Sequence, residues 1–138
     1  MTCNLYRCIF KGFRNFFERT LPAGAWKLHK LPRTTGWDSH NYLTMAIDSE
    51  GDIHLAGNMH CVPLIYFRTR QAGDIATFER LPMTGQQEQR CTYPRFLTTP
   101  DDVLLFMYRS GGSGNGRRFY NRYSESTKRW TRFFDAPL

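Results

Sequence analysis

Apolar and polar residues alternate along most of the chain after residue 40, and β-branched and aromatic residues are frequent among the apolar positions. This period of two is typical of antiparallel strands, and short turn sequences such as Ser49-Glu50-Gly51-Asp52 interrupt it. The pattern predicts an all-β fold with two groups of four strands, near residues 41–48, 53–58, 63–69 and 76–81, and near residues 92–98, 103–109, 117–123 and 129–134.

The two groups repeat each other at about 50 residues, which is the mark of a repeat architecture. Ile53 precedes Val103 by 50 residues, and Phe78 precedes Trp130 by 52 residues. Both closing strands place an aromatic residue before a proline exit. A four-stranded unit of this length is typical of a β-propeller blade, so the sequence predicts two blades, at about residues 37–82 and 91–137.

A third copy of the closing pattern, from Trp26 to Pro32, predicts the last strand of a preceding blade. We therefore expect residues 21–138 to be a partial β-propeller, because closed propellers need about four to eight blades, and we expect a truncated or partial protein. Residues 1–20 align with neither unit and are interpreted as either a degraded blade or a helix.

Composition narrows the functional classes only in part. The net charge of +7 suits a polyanionic partner, which could be a polysaccharide, a nucleic acid or an anionic lipid. The basic residues are scattered and form no stripe with aromatic residues, which argues against nucleic acid. No apolar run reaches the ~20 residues that span a bilayer, and no signal peptide is visible. Four cysteines lack the spacing of a zinc site, so we expect ordinary thiols and no metal or other cofactor.

The predicted blades bring four candidate residues to one edge, because the start of the first strand and the end of the second lie together in an antiparallel blade. His40 and Tyr93 stand at the starts of first strands, whereas His60 and Arg109 stand at the ends of second strands. Each alone has a plainer interpretation: histidines and tyrosines near strands are more often packed than catalytic, and the loop from Gly111 to Gly116 lacks the setting of a nucleotide-binding motif.

This set of side chains favours β-elimination from a uronic acid over hydrolysis. An arginine or a protonated histidine can neutralise the carboxylate, after which a histidine or tyrosine can remove the adjacent proton and protonate the departing oxygen. Glycoside hydrolysis normally needs two carboxyl groups, for which Asp38 and Glu88 are the available candidates. A sialidase-like glycoside hydrolase and a non-catalytic glycan-binding propeller remain alternatives.

The ordered motifs WDSHNY, GNMH, TYPRF and YRSGGSGNG, with a closing Trp-Thr-Arg, resemble the BNR repeat-containing (BNR-4) family, and within it the seven-bladed ulvan lyases. The resemblance runs from about Gly24 to Leu138, although the usual aspartate box is degenerate at residues 123–130. It implies a secreted or periplasmic polysaccharide lyase, a carbon-oxygen lyase when the propeller is complete. It also implies catalytic roles for His40, His60, Tyr93 and Arg109, without deciding which histidine is the base. Residues of the same motifs are expected to bind the anionic polysaccharide, namely Asn41, Asn58, Arg95 and Asn115.

Overall fold

The structure, a computed structural model, describes residues 3–10, 13–20, 23–30 and 37–138. The described chain is all-β apart from one short 3₁₀ turn at Ile75–Thr77. Its strands, numbered in chain order, are β1 (Cys3–Phe10), β2 (Phe13–Thr20), β3 (Lys27–Lys30), β4 (Leu43–Ile47), β5 (Ile53–Gly57), β6 (His60–Val62), β7 (Tyr66–Thr69), β8 (Phe78–Arg80), β9 (Cys91–Thr98), β10 (Leu104–Ser110), β11 (Arg117–Ser124) and β12 (Arg129–Arg132).

The eight predicted strands are confirmed, and they form two antiparallel sheets. One sheet has the order β4-β5-β7-β8, and the other has the order β12-β11-β10-β9 with β6 added at its edge. The predicted third strand of the first unit begins later than expected, at Tyr66. Pro63 has no backbone donor for a sheet, and the Leu64 amide donates to the Glu88 carbonyl instead, at 2.8 Å.

The N-terminal part forms a third sheet, with the order β1-β2-β3. Strand β3 is the predicted last strand of a preceding unit, and β1 and β2 pair antiparallel beside it. The helical interpretation of residues 1–20 is wrong, because Cys3–Phe10 and Phe13–Thr20 are strands. The predicted proline exit at Pro32 lies outside the described residues. No described helix is long and apolar enough to cross a bilayer.

One hydrophobic core joins the two four-stranded units. His54, from β5, is fully buried, and its ring lies 4.6 Å from the ring of Tyr123 and 5.8 Å from that of Trp130 in the second unit. Its polar atoms are satisfied by its own unit, since Nδ1 lies 2.8 Å from the Tyr66 hydroxyl and Nε2 lies 3.1 Å from Asp48. A buried imidazole is tolerated there because both nitrogens have partners.

Polar contacts at the rim hold the same two units in register. The Lys128 ammonium donates to the buried Asp52 carboxylate at 2.8 Å, and the Arg68 guanidinium donates to the Tyr123 hydroxyl at 3.0 Å. The backbone amide of Ser49 donates to the Glu125 carboxylate at 3.1 Å. These contacts link residues far apart in the chain, so they help to define the relative position of the two units.

Candidate active site

A tight turn before β4 positions the first candidate histidine. The carbonyl of Asp38 accepts the Asn41 amide at 2.9 Å, and its carboxylate accepts the His40 amide at 2.8 Å. An aspartate that binds the backbone two residues ahead stabilises such a turn locally. The turn therefore holds the carboxylate of Asp38 and the ring of His40 on the same side.

The exit of β5 lies directly against this turn. The Asn58 amide donates to the Tyr42 carbonyl at 3.0 Å, and a Cβ on Gly57 would lie 2.2 Å from that same carbonyl oxygen. Gly57 has φ of +150°, and Asn58 has φ of +58°. Only glycine permits so close an approach of the two backbones, which brings His60 beside His40.

Strand β6 carries His60 out of its own unit and into the neighbouring sheet. His60 pairs with Thr92 of β9 and Val62 pairs with Cys91, so Cys61 forms a bulge with φ of +53°. The Thr92 hydroxyl accepts the Cys61 amide at 2.9 Å. This pairing places His60 next to the start of the first strand of the second unit.

A second bulge, on β9, presents Tyr93. Thr92 pairs with Arg109 and Arg95 pairs with Met107, which leaves Tyr93 in a left-handed conformation with φ of +57°. A non-glycine residue held in this region costs on the order of 1–3 kcal/mol and is typically retained at functional sites. The bulge turns the tyrosine ring out of the core, where it is 40% exposed.

The structure brings the four predicted site residues into one cluster with Asp38. The His40 and His60 rings are stacked with centroids 4.1 Å apart and an interplanar angle of 18°. Nε2 of His40 lies 2.9 Å from the Tyr93 hydroxyl, and the Arg109 guanidinium lies 4.8 Å from the centre of the Tyr93 ring. The Asp38 carboxylate contacts Nδ1 of both histidines, one through each oxygen.

The hydrogen bonds of the cluster keep Asp38 ionised. The His40 backbone amide, then the His40 ring, lower the pKa of Asp38 to about 2, and the His60 ring acts in the same direction. The neighbouring Cys61 thiol lies 4.0 Å from the Arg109 guanidinium, and its pKa is lowered by the Thr92 hydroxyl first and by Arg109 second. The site therefore combines one anion and one cation with two imidazoles and a phenol.

Asp38, His40 and His60 are the described residues whose ligand atoms could surround a metal ion, since these atoms lie within 4.8 Å of one another. Their orientation fits a metal poorly. A single cation needs lone pairs that converge on it, whereas two nearly parallel rings direct their Nδ1 atoms side by side. The two oxygens of one carboxylate match that side-by-side arrangement, so hydrogen bonding accounts for the cluster.

The predicted substrate-binding residues fall into two places. Asn41 and Asn58 line a cavity of about 350 Å³ together with His60. Arg95 is exposed and lies near Tyr42. Burial raises the pKa of the Tyr42 hydroxyl, and the charge of Arg95 offsets part of that increase. Asn115 lies elsewhere: its side chain accepts the Gly112 amide at 3.0 Å and lines a separate cleft of about 960 Å³.

The glycine-rich loop packs directly on Arg109. A Cβ on Gly116 would lie 2.6 Å from Cδ of Arg109, and the carbonyl of Gly111 lies 3.5 Å from the Cys61 sulfur. The loop therefore supports the arginine side chain.

Two acidic residues acquire roles that the sequence pattern did not reveal. Asp38 bridges the histidines, and its position two residues before His40 is the available sequence signal, because Asx turns have this spacing. Glu88 is buried, and its carboxylate accepts the Thr84 amide at 2.7 Å, the Thr84 hydroxyl at 2.8 Å and the Gly85 amide at 3.1 Å. Glu88 thus stabilises the turn at residues 83–85, between the two units, and takes no part in the hydrogen bonds of Asp38, His40, His60 and Tyr93.

Solved structures share this fold. The polysaccharide lyase Uly1 matches with a TM-score of 0.75 and 21% identity, over 94% of this chain and 38% of that one. An ulvan lyase described as a new polysaccharide lyase family, PL25, bound to -[GlcA(1-4)Rha3S]-, matches with a TM-score of 0.64 and 16% identity, over 91% and 32% of the two chains. The described sheets are thus part of a β-propeller, as predicted.

Sequence relatives point the same way. The long isoform of ulvan lyase from Glaciecola sp. (strain KUL10) is 41% identical over 41% of this chain and 6% of the relative. The short isoform from Alteromonas sp. (strain LOR) is 38% identical over 41% of this chain and 12% of the relative. The matched part is thus a small share of either curated relative. The family described as "BNR repeat-containing family member" matches residues 12–138. The chain therefore belongs to the BNR repeat-containing family, as the sequence motifs predicted.

Proposed function

We propose that this chain carries the active site of a polysaccharide lyase, which cleaves an anionic, uronate-containing polysaccharide by β-elimination. The observation that carries the proposal is a pair of contacts at Tyr93. Its hydroxyl contacts Nε2 of His40, and the Arg109 guanidinium lies over its ring. Similarity to ulvan lyases and the net charge of +7 support a polyanionic substrate.

In this reaction Arg109 binds the uronate carboxylate and lowers the cost of placing charge on it. A base removes the proton on the carbon next to the carboxylate, and the electron pair of that C–H bond forms a carbon–carbon double bond. The glycosidic C–O bond breaks at the same time, and the departing oxygen takes up a proton. Tyr93 and a histidine act together to take up the proton and to return one to the departing oxygen, so no external reactant is needed.

The carboxylates of the site favour elimination over hydrolysis. A glycosidase requires two carboxyl groups that flank the bond, at about 5–9 Å from each other. Asp38 is engaged by two imidazoles, and Glu88 is buried against the turn at residues 83–85. Neither carboxylate is placed to act on a sugar directly, whereas His40, His60 and Tyr93 are partly exposed.

The direct test is to incubate the purified chain with ulvan, alginate and polygalacturonate and to follow the ultraviolet absorbance of the unsaturated product. We expect new absorbance with at least one of these polymers. Arg109→Ala should lower turnover about 10²–10³-fold, because the carboxylate charge then goes uncompensated. Arg122→Ala, which removes an exposed arginine of β11, is the matched control and should leave turnover unchanged.

Two outcomes would refute the proposal. A folded chain that releases no unsaturated product from any uronate polymer, but binds one of them, would be a glycan-binding propeller. New reducing ends without the double bond would instead indicate a hydrolase. In the first case, substitution of His40 and Tyr93 would weaken binding with no reaction to lose.

A further inference from the structure

Asp38 is the shared partner of both imidazoles. One carboxylate oxygen contacts Nδ1 of His40 and also accepts the His40 amide at 2.8 Å, while the other oxygen contacts Nδ1 of His60. The stacked rings, 18° from parallel, point the same nitrogen at the same carboxylate. A single acidic side chain thus determines the orientation of both rings.

An ionised carboxylate can only accept hydrogen bonds, and this limits the histidines to one tautomer. If Asp38 accepts from both rings, each Nδ1 must carry a proton. A neutral imidazole has a single N–H, so Nε2 of each ring is then a bare acceptor. In water a neutral imidazole is free to place its proton on either nitrogen, and here the choice is made by Asp38.

The tautomer assigns the direction of the hydrogen bond to Tyr93. Nε2 of His40 lies 2.9 Å from the tyrosine hydroxyl. A bare Nε2 can only accept, so the hydroxyl is the donor and its proton points at His40. The Arg109 guanidinium lies 4.8 Å from the centre of the same ring, so a positive charge stands close to the phenol.

We propose that Asp38 is the positioning residue of this site, which holds both imidazoles as Nδ1–H tautomers so that His40 accepts the Tyr93 proton and His60 offers a second free Nε2. The role of Asp38 in elimination rests on the proposed function, whereas the tautomers of His40 and His60 can be measured in a chain without activity. Asp38 acts through the histidines and does not touch the reacting sugar. The logic is that of an acid–imidazole–hydroxyl triad.

Tyr93 and His40 account for every proton that moves in the elimination. The Tyr93 oxygen takes the proton from the sugar carbon while its own proton moves to Nε2 of His40, and the resulting imidazolium is stabilised by Asp38. The C–H electron pair becomes the double bond as the C–O bond breaks. The departing oxygen then takes the Tyr93 proton, and His40 returns its proton to the tyrosine.

The test is a long-range ¹H–¹⁵N correlation spectrum of the ¹⁵N-labelled chain at about pH 8.5, about two units above the ordinary histidine pKa. The chain has four histidines, so the spectrum holds four imidazole patterns, and His40→Gln and His60→Gln assign two of them. We expect both to show a protonated Nδ1 and a bare Nε2. His54 provides an internal contrast, because its Nε2 faces Asp48.

The Asp38→Asn variant tests whether Asp38 determines the tautomers of the two histidines. Asparagine keeps one oxygen for the His40 amide but offers an N–H where the second oxygen was, so at least one ring should shift its proton to Nε2. Asp101→Asn, at an exposed turn residue, is the matched control and should leave all four patterns unchanged. With an active chain, Asp38→Asn should also lower kcat about 10²-fold with little change in KM.

The possible failures can be told apart. A wild-type spectrum in which either ring carries its proton on Nε2, or averages between tautomers, overturns the inference even if Asp38→Asn does not fold. Unchanged tautomers in Asp38→Asn overturn it as well. Addition of Zn²⁺ that binds stoichiometrically and removes the Nδ1 protons would make the cluster a metal site instead. The expected tautomers in a chain without elimination activity would support Asp38 and refute the lyase.

Discussion

Replacing Gly116 with alanine should displace Arg109 and thereby test whether the glycine-rich loop holds the arginine in place. The added Cβ would lie 2.6 Å from Cδ of Arg109 and 2.7 Å from the carbonyl oxygen of Gly112. Ordinary contacts begin at 3.4 Å, so the arginine chain must move by at least about 0.8 Å. A misplacement of about 1 Å can cost on the order of 10²-fold in rate, and overpacking against backbone costs about 1–3 kcal/mol of stability.

The matched control lies in the same loop. A Cβ on Gly112 would lie 3.5 Å from both the Arg90 guanidinium and the Asn115 carboxamide, which is ordinary contact distance. Gly112→Ala should therefore leave Arg109 where it is. The two variants add the same methyl group and differ in what that group touches.

The Cys61 thiol reports the position of Arg109 without any need for turnover. The Thr92 hydroxyl and then the guanidinium 4.0 Å away lower the pKa of this thiol. Gly116→Ala should raise that pKa and shift the pH profile of Cys61 alkylation upward, whereas Gly112→Ala should not. Burial raises the pKa of Cys91 to about 12, and peptide mapping by mass spectrometry separates Cys61 from the other cysteines.

The result that would refute this reasoning is specific. If Gly116→Ala folds and its Cys61 profile and turnover equal those of the unsubstituted chain, the loop does not support the arginine. If both loop variants change the profile equally, the effect belongs to the loop as a whole and the close contact at Gly116 is not its cause.

Two further substitutions test the interior. Burial lowers the pKa of His54 below the ordinary 6.5 in spite of its contact with Asp48, so the unfolded chain binds the proton first. Stability present above about pH 6.5 should be lost as the pH falls, by at most about 1.4 kcal/mol per pH unit for one proton. His54→Gln should remove this slope in urea denaturation between about pH 7.5 and pH 5.5, and equal slopes in both proteins would contradict the assignment. Glu88→Gln should cost about 1–3 kcal/mol, because a neutral carboxamide accepts the bonds from Thr84 and Gly85 more weakly than the Glu88 carboxylate and turns an N–H toward the Met83 amide, which now faces the second oxygen at 3.4 Å. Turnover per folded molecule should stay unchanged, and a selective loss of turnover would give Glu88 a chemical role and favour hydrolysis.

The local pattern of the sequence was sufficient to predict the strands and the positions of four site residues. The alternation of buried and more exposed side chains at residues 121–124 and 129–132 reflects side chains that face opposite sides of a sheet, and this period is set by the backbone itself. Antiparallel geometry then placed His40, His60, Tyr93 and Arg109 at one edge. Their convergence could be predicted because strand starts and ends follow from the turns alone.

The sequence by itself thus determined the strands, the repeat, the family and the four residues of the cluster. The tertiary structure alone decided the pairing of β6 with the neighbouring sheet, the left-handed bulges at Cys61 and Tyr93, and the bridge from Asp38 to both histidines. These features join residues of different units, and no local propensity favours a cysteine or a tyrosine at positive φ. Such conformations persist because contacts distant in the chain offset their cost, and sequence spacing does not report those contacts.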